Sequence, residues 1–264
     1  DRHVAEMKAN EHEMKAHKQE IKRVISLESK KTPRTEMSEK DLRVIENALL
    51  LMVAIFMVYA FFVSVVYALN TLHADRKDRS ILFWKSLPVS ETTNVLVKLG
   101  FALLIVPAGA LLSAFVVQAA YLLAAGYYIQ SITDIGFWQV MSASNYFGNM
   151  ATVIGYVLIS APWAAGFYAW ILLASAFAKR NPFLITVLPV LVLAGIENYL
   201  FNTKVVGQFV LSHVPVWTFN GDVHDEVAMT RQHSFSDFFS IDFVAGLAMT
   251  AAFIYGAIWL RKNR

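Results

Sequence analysis

Two long stretches of this chain carry no Asp, Glu, Lys or Arg: Asn47 to Ala74 and Leu99 to Thr133. Each exceeds the roughly 20 apolar residues needed to cross the hydrocarbon core of a bilayer. Three further apolar runs follow. The pattern therefore predicts an all-α polytopic membrane protein with five spans, at about Leu49–Leu69, Val95–Ala124, Met150–Phe177, Pro182–Tyr199 and Ile241–Leu260. Pro162 is expected to kink the third span. Gly155, Ala161, Ala165 and Gly166 in that span are small enough to let a neighbouring helix approach closely in lipid. The fourth opens with Pro182 and holds Pro189 inside. Between spans, Gly126 to Asn149, with Asp134 and Trp138, reads as a polar-aromatic interfacial hairpin. Val205 to Val214 is apolar but too short to cross, and suits an interfacial position.

The connector between the first two spans, Asp75 to Ser90, reads DRKDRSILFWKSLPVS. Its charges lead (Arg76, Lys77, Arg79) and its apolar residues follow (Ile81, Leu82, Phe83, Trp84, Leu87), with Lys85 among them. A helix of that composition would lie with one face in the lipid headgroup layer. Pro88 lacks an N–H and would end it. Ser90 is a good N-cap for the next helix, with Glu91 well placed in the positive first turn. A solvated loop that merely obeys the excess of positive charge on cytoplasmic loops would share the same spacing.

The stretch DRKDRSILFWKSLPVSETTNVLVKLG resembles the cytoplasmic connector of permease subunits in bacterial ABC-2 type transporters, over Asp75 to Gly100. AKRNPF at Ala178 to Phe183 is similar to the family's ARRxPF pattern, and five-span hydropathy is compatible with it. In that family the segment is a coupling helix that docks on a separate ATPase subunit, ahead of a lysine at the mouth of the next span, here Lys98. The resemblance implies that Asp75, Arg76, Asp78, Arg79, Phe83, Trp84, Lys85, Leu87 and Pro88 carry ATPase coupling, with the coupling helix at about 75–88. It also implies six spans in the full protein, so that one would lie upstream, with both termini cytoplasmic in a bacterial inner membrane. Export is the implied direction, and the implied partners are the ATPase and a second permease, identical or a sister subunit.

Over half the residues are hydrophobic (56%), and the charge is concentrated rather than spread. About half of all charged residues precede Asn47. Asp1 to Glu46 lacks the apolar core of a signal peptide. Met7, Met14 and Ile21 recur every seven residues, but Asn10, His17 and Val24 make a poor second coiled-coil seam. Pairs such as Glu11 with Lys15 fit a solvated linker helix. With the connector inside, alternation of the spans also places Lys98, Lys179, Arg180, Arg261, Lys262 and Arg264 inside. Lys204 and Arg231 then lie outside, with the acids Asp134, Asp222, Asp225, Glu226 and Asp237. Residues 1–46 become an outside segment despite their lysines and arginines, since long segments translocate largely regardless of charge.

Candidate chemistry is sparse. There is no phosphate-binding GxxxxGK[ST], no GxGxxG, no HExxH, no GxSxG and no cysteine. No cofactor is implied, and basic residues outside the first segment sit at membrane edges, which argues against nucleic acid. Glu197, the sole acid at the end of a span, is a functional candidate by its depth, although snorkelling to the interface would also place it there. His213, His224 and His233 share one outside loop with Asp222, Asp225 and Glu226, an arrangement more typical of solvated side chains than of a metal site. The reading is therefore a permease subunit without catalytic residues. Its alternatives are an intramembrane hydrolase built on Glu197 and the loop histidines, or a non-transporting scaffold subunit.

Overall fold

The computed structural model describes residues 14–15, 17–23, 38–77, 90–214, 218–220, 228–230 and 235–263. Helix α1 (Glu39–Lys77) is followed by α2 (Glu91–Gly100), a π-helical turn (Phe101–Ile105) and α3 (Val106–Ile132). Then come α4 (Phe137–Ala143), α5 (Tyr146–Phe177), α6 (Pro182–Phe201) and α7 (Val205–His213). A two-stranded antiparallel ladder, β1 (Thr218–Asn220) with β2 (Ala228–Thr230), precedes a 3-10 turn (Phe235–Phe239) and α8 (Ile241–Asn263). Among the described residues five helical stretches are long and apolar enough to cross a membrane: Glu39–Asp75, Glu91–Ile132, Phe137–Phe177, Pro182–Phe201 and Ile241–Asn263. This is a multi-pass membrane protein, and each expected span falls within one of these stretches.

The hydrophobic pattern explains the existence of α1 but not its facing. One stripe, Ile45, Leu49, Val53, Met57, Ala60, Ser64, Ala68 and Leu72, is buried at steps of three and four residues. The opposite face, with Leu51, Ile55, Tyr59, Phe62 and Val66, is just as apolar and stays exposed. Lipid and protein core accept the same side chains, so packing alone selects the stripe. At 39 residues, α1 is about 58 Å long and overruns a hydrocarbon core of about 30 Å.

Helix α5 is the centre of the bundle, with α1 on one side and α8 on another. Its buried small residues include Ala164, Gly166, Ala169, Ala174 and Ala176. Gly166 meets Thr250 of α8, as its size predicts, whereas Gly155 faces open space. Helix α6 buries no residue at all, although its composition is as apolar as that of α5.

The segment expected as a hairpin, Gly126 to Asn149, is mostly helical instead. No glycine or proline breaks α3 between Gly126 and its end at Ile132, where Thr133 turns extended and its Oγ1 donates to the Ile129 carbonyl. α4 then begins after Gly136, and Asn145, in the left-handed region (φ 46°), turns the chain into α5.

The π turn has a local cause. Val106 N–H reaches back to the Phe101 carbonyl, five residues away. The same spacing would pair the Ala102 carbonyl with residue 107, which is proline and has no N–H. Ser64 of α1, fully buried, donates its hydroxyl to that carbonyl at 2.9 Å. A side chain of one helix thus satisfies the backbone acceptor that a proline orphans in the next.

Candidate functional site

Four charged side chains meet at one end of the bundle, where α1 ends, α2 begins and α8 ends. Asp75 Oδ2 accepts from Lys98 Nζ at 2.5 Å and from Arg261 Nη1 at 3.0 Å. Arg261 Nε donates to Glu91 Oε2 at 2.6 Å, and Lys98 Nζ donates also to the Thr71 carbonyl at 3.0 Å. The side chains are 13% (Asp75), 14% (Lys98), 17% (Glu91) and 1% (Arg261) exposed, so solvent screens these pairs little.

Helical periodicity assembles each half of the cluster. Thr71 and Asp75 are one turn apart on α1, and Glu91 and Lys98 two turns apart on α2, so each pair shares a face. Ser90 sets the start of α2: its Oγ accepts from Thr93 N–H at 3.0 Å, the N-cap expected from the sequence. Arg261 arrives from the far end of the chain, next to Leu260, which shares an apolar core with Leu72, Val95, Leu99 and Leu172. Two acids and two bases balance, the condition under which buried charges are tolerated. Among the described residues Arg261 Nη2 is buried without a hydrogen bond, so the guanidinium still holds a donor in reserve.

The same end of the bundle gathers other residues read as one membrane side. His73 N–H donates to Ser175 Oγ at 3.1 Å, and Ser175 Oγ donates to the Leu69 carbonyl at 2.6 Å. His73 Nδ1 lies 3.1 Å from the Ala178 carbonyl, so the turn carrying Lys179 and Arg180 abuts the end of α1.

Of the residues expected to couple to an ATPase, Asp75 is the one whose side chain is seen, and it is the hub of the cluster. Arg76 lies in the last turn of α1, with its side chain outside the described residues. Asp78, Arg79, Phe83, Trp84, Lys85, Leu87 and Pro88 lie outside them altogether. Sequence reasoning missed Arg261, which looked like part of a basic tail. It also read Glu91 as a helix-start carboxylate and no more. The available signal was the presence of Glu91 and Lys98 on one helical face, opposite an Asp ending the preceding charge-free run.

Glu197 has a structural occupation. Its Oε1 accepts from Thr203 Oγ1 at 2.7 Å and Val205 N–H at 2.6 Å, and Oε2 accepts from Val206 N–H at 2.8 Å. It folds back across the left-handed Asn202 (φ 51°) to cap the N-terminus of α7. Glu197→Ala is expected to fray the first turn of α7 and speed amide exchange at Val205 and Val206, while the other helices keep their protection. Hydrogen exchange read by mass spectrometry over 203–213 checks this.

His213 is buried at the crossing of α5, α7 and α8, with ring centroids 5.5 Å from Trp163 and 4.3 Å from Phe209. Its Nδ1 lies 2.8 Å from the Phe209 carbonyl, a contact that requires the proton on Nδ1. A Cβ at Gly246 would collide with the imidazole, so that glycine makes the room His213 occupies. His224, His233, Asp222, Asp225 and Glu226 lie outside the described residues. Among the described ones no group of three His, Cys, Asp or Glu is placed to hold a metal. Comparisons with protein-family models, with curated proteins and with solved structures returned no match.

Proposed function

We propose that this chain is the membrane-spanning permease subunit of a bacterial ABC-2 type transporter in the inner membrane. It works as an exporter driven by a separate ATP-binding cassette ATPase. The observation that carries the reading is at the connector: a basic, aromatic stretch of sequence whose two flanks, Asp75 and Glu91, are held by one buried guanidinium. A loop without a task does not need its two ends pinned to a third helix. The given sequence holds no phosphate-binding motif, so in this reading the energy comes from a separate ATPase. Glu197, the candidate for intramembrane catalysis, already accepts three hydrogen bonds, which disfavours the hydrolase reading. The apolar α6, with no buried residue, leaves a surface that lipid or a second permease can cover.

Two experiments test this reading. Expressed with its native neighbouring proteins, the tagged chain should recover an ATPase, while the purified chain alone should turn over ATP no faster than a mock preparation. Turnover by the chain alone, or no ATPase recovered, would overturn the proposal. The absence of cysteine also makes topology directly measurable. In intact cells an impermeant thiol reagent should label Asp225→Cys and leave Ser80→Cys untouched, because the basic residues crowd the connector side. The opposite labelling would invert the protein and remove the connector from the ATPase.

A further inference from the structure

Arg261 links elements that are far apart in sequence and that meet in one apolar core, with Leu72 of α1, Val95 and Leu99 of α2 and Leu260 of α8. It sits near the end of α8, yet its two hydrogen-bonded nitrogens hold the last residues of α1 and the first turn of α2. Lys98 joins α1 to α2 through Asp75 and the Thr71 carbonyl without involving α8. Removing Arg261 would therefore leave the α1–α2 ion pair and the shared apolar core in place, and take away the polar contacts that fix α8 against both flanks of the connector. The planar fork of a guanidinium can bind two carboxylates in fixed directions, which a lysine ammonium, as a point charge, cannot do equally well. Because Arg261 is buried, these contacts fix relative positions to a degree that surface pairs do not.

We infer that Arg261 is a positioning residue that locks the C-terminal helix to both ends of the 78–89 connector, so that α1, α2 and α8 move as one unit when the connector is displaced. The transmission role rests on the permease reading; the lock itself does not. Displacement of the connector by a partner would then reach α8 directly. From there it would reach the opposite end of the bundle, where Gly246 and Thr250 of α8 touch His213 and Gly166.

Nitroxide pairs on the cysteine-free chain test the lock without any ATPase. Thr92→Cys with Lys262→Cys reports α2 against α8, and Val44→Cys with Leu123→Cys reports the opposite end as a control. All four positions are exposed. In the otherwise unaltered protein both pairs should give one narrow distance. With Arg261→Gln the 92–262 distribution should broaden or split while the 44–123 distribution stays as it was, and Arg261→Lys should restore the narrow distribution only in part. An unchanged 92–262 distribution in Arg261→Gln overturns the lock. Broadening of both pairs also overturns it, since that is general loss of packing. A second arm adds the ATPase: Arg261→Gln should still recover it on a tag but lose permease-dependent stimulation of ATP turnover. If the unaltered chain recovers no ATPase, the permease reading fails, and the spin-label result still decides whether the lock exists.

Discussion

Asp75→Ala is expected to destabilise the folded protein by about 3–5 kcal/mol, the range seen when one partner of a buried ion pair is removed. The reason is the arrangement of charges rather than the number of bonds lost. Asp75 stands between Lys98 and Arg261, 2.5 Å and 3.0 Å from their nitrogens. Without it two cations face each other in a site from which water is largely excluded, with Glu91 the remaining acid of the cluster. Asp75→Asn keeps the volume and an acceptor oxygen and should fall between the two. Replacing Asp75 together with Lys98 by leucine and methionine should recover part of the loss, because an uncompensated charge is more costly than an absent pair. Thermal unfolding in detergent, followed by size exclusion or by labelling of introduced buried cysteines, gives the ordering. If Asp75→Ala unfolds at the same temperature as the unaltered protein, the cluster contributes no stability, and its place at the root of the connector needs another explanation.

If the proposed permease function holds, Trp84→Ala and Arg79→Glu should each separate the chain from an ATPase while leaving it inserted in the membrane. A connector resting only on lipid has little to lose from either change, since the headgroup layer adapts to what remains. A connector seated in a protein cleft has much to lose. Buried aromatic and arginine anchors dominate interface energies, often by about 2 kcal/mol or more each, which corresponds to roughly a 30-fold weaker complex. Arg79→Glu adds repulsion toward a surface that received a cation, and should act mainly on specificity and association rate. Recovery on a tagged ATPase, normalised to permease in the membrane, is the measurement. Loss of recovery at equal membrane level supports docking. Full recovery with retained transport in both variants would mean that Asp75 to Ser90 is an ordinary basic loop, and the functional proposal would fall with it.

The comparison between α5 and α6 marks the boundary between what the chain's pattern determined and what tertiary structure decided. Both are predicted from uninterrupted apolar runs, because a bilayer demands backbone hydrogen bonds satisfied within the segment and side chains that tolerate hydrocarbon. That demand is local, and so all five long helices were legible, as was the Ser90 cap. Which helix forms the centre was not legible. In lipid the buried and exposed faces draw on the same residues, so hydropathy cannot tell α5, packed on two sides, from α6, which buries nothing. The continuation of α3 to Ile132 was also hidden, because polar residues such as Gln130 and Ser131 signal the end of a span without ending a helix. The candidate site divides in the same way. Asp75 stood out as the charge that ends a long apolar run, and Lys98 as a lone cation ahead of the next. Arg261 could not be joined to them from the sequence, because nothing local relates the last turn of α8 to the end of α1. Only the packing of α8 beside α1 and α2 brings its guanidinium between two carboxylates, and only there does the excluded water turn four separate chain positions into one charge-balanced cluster.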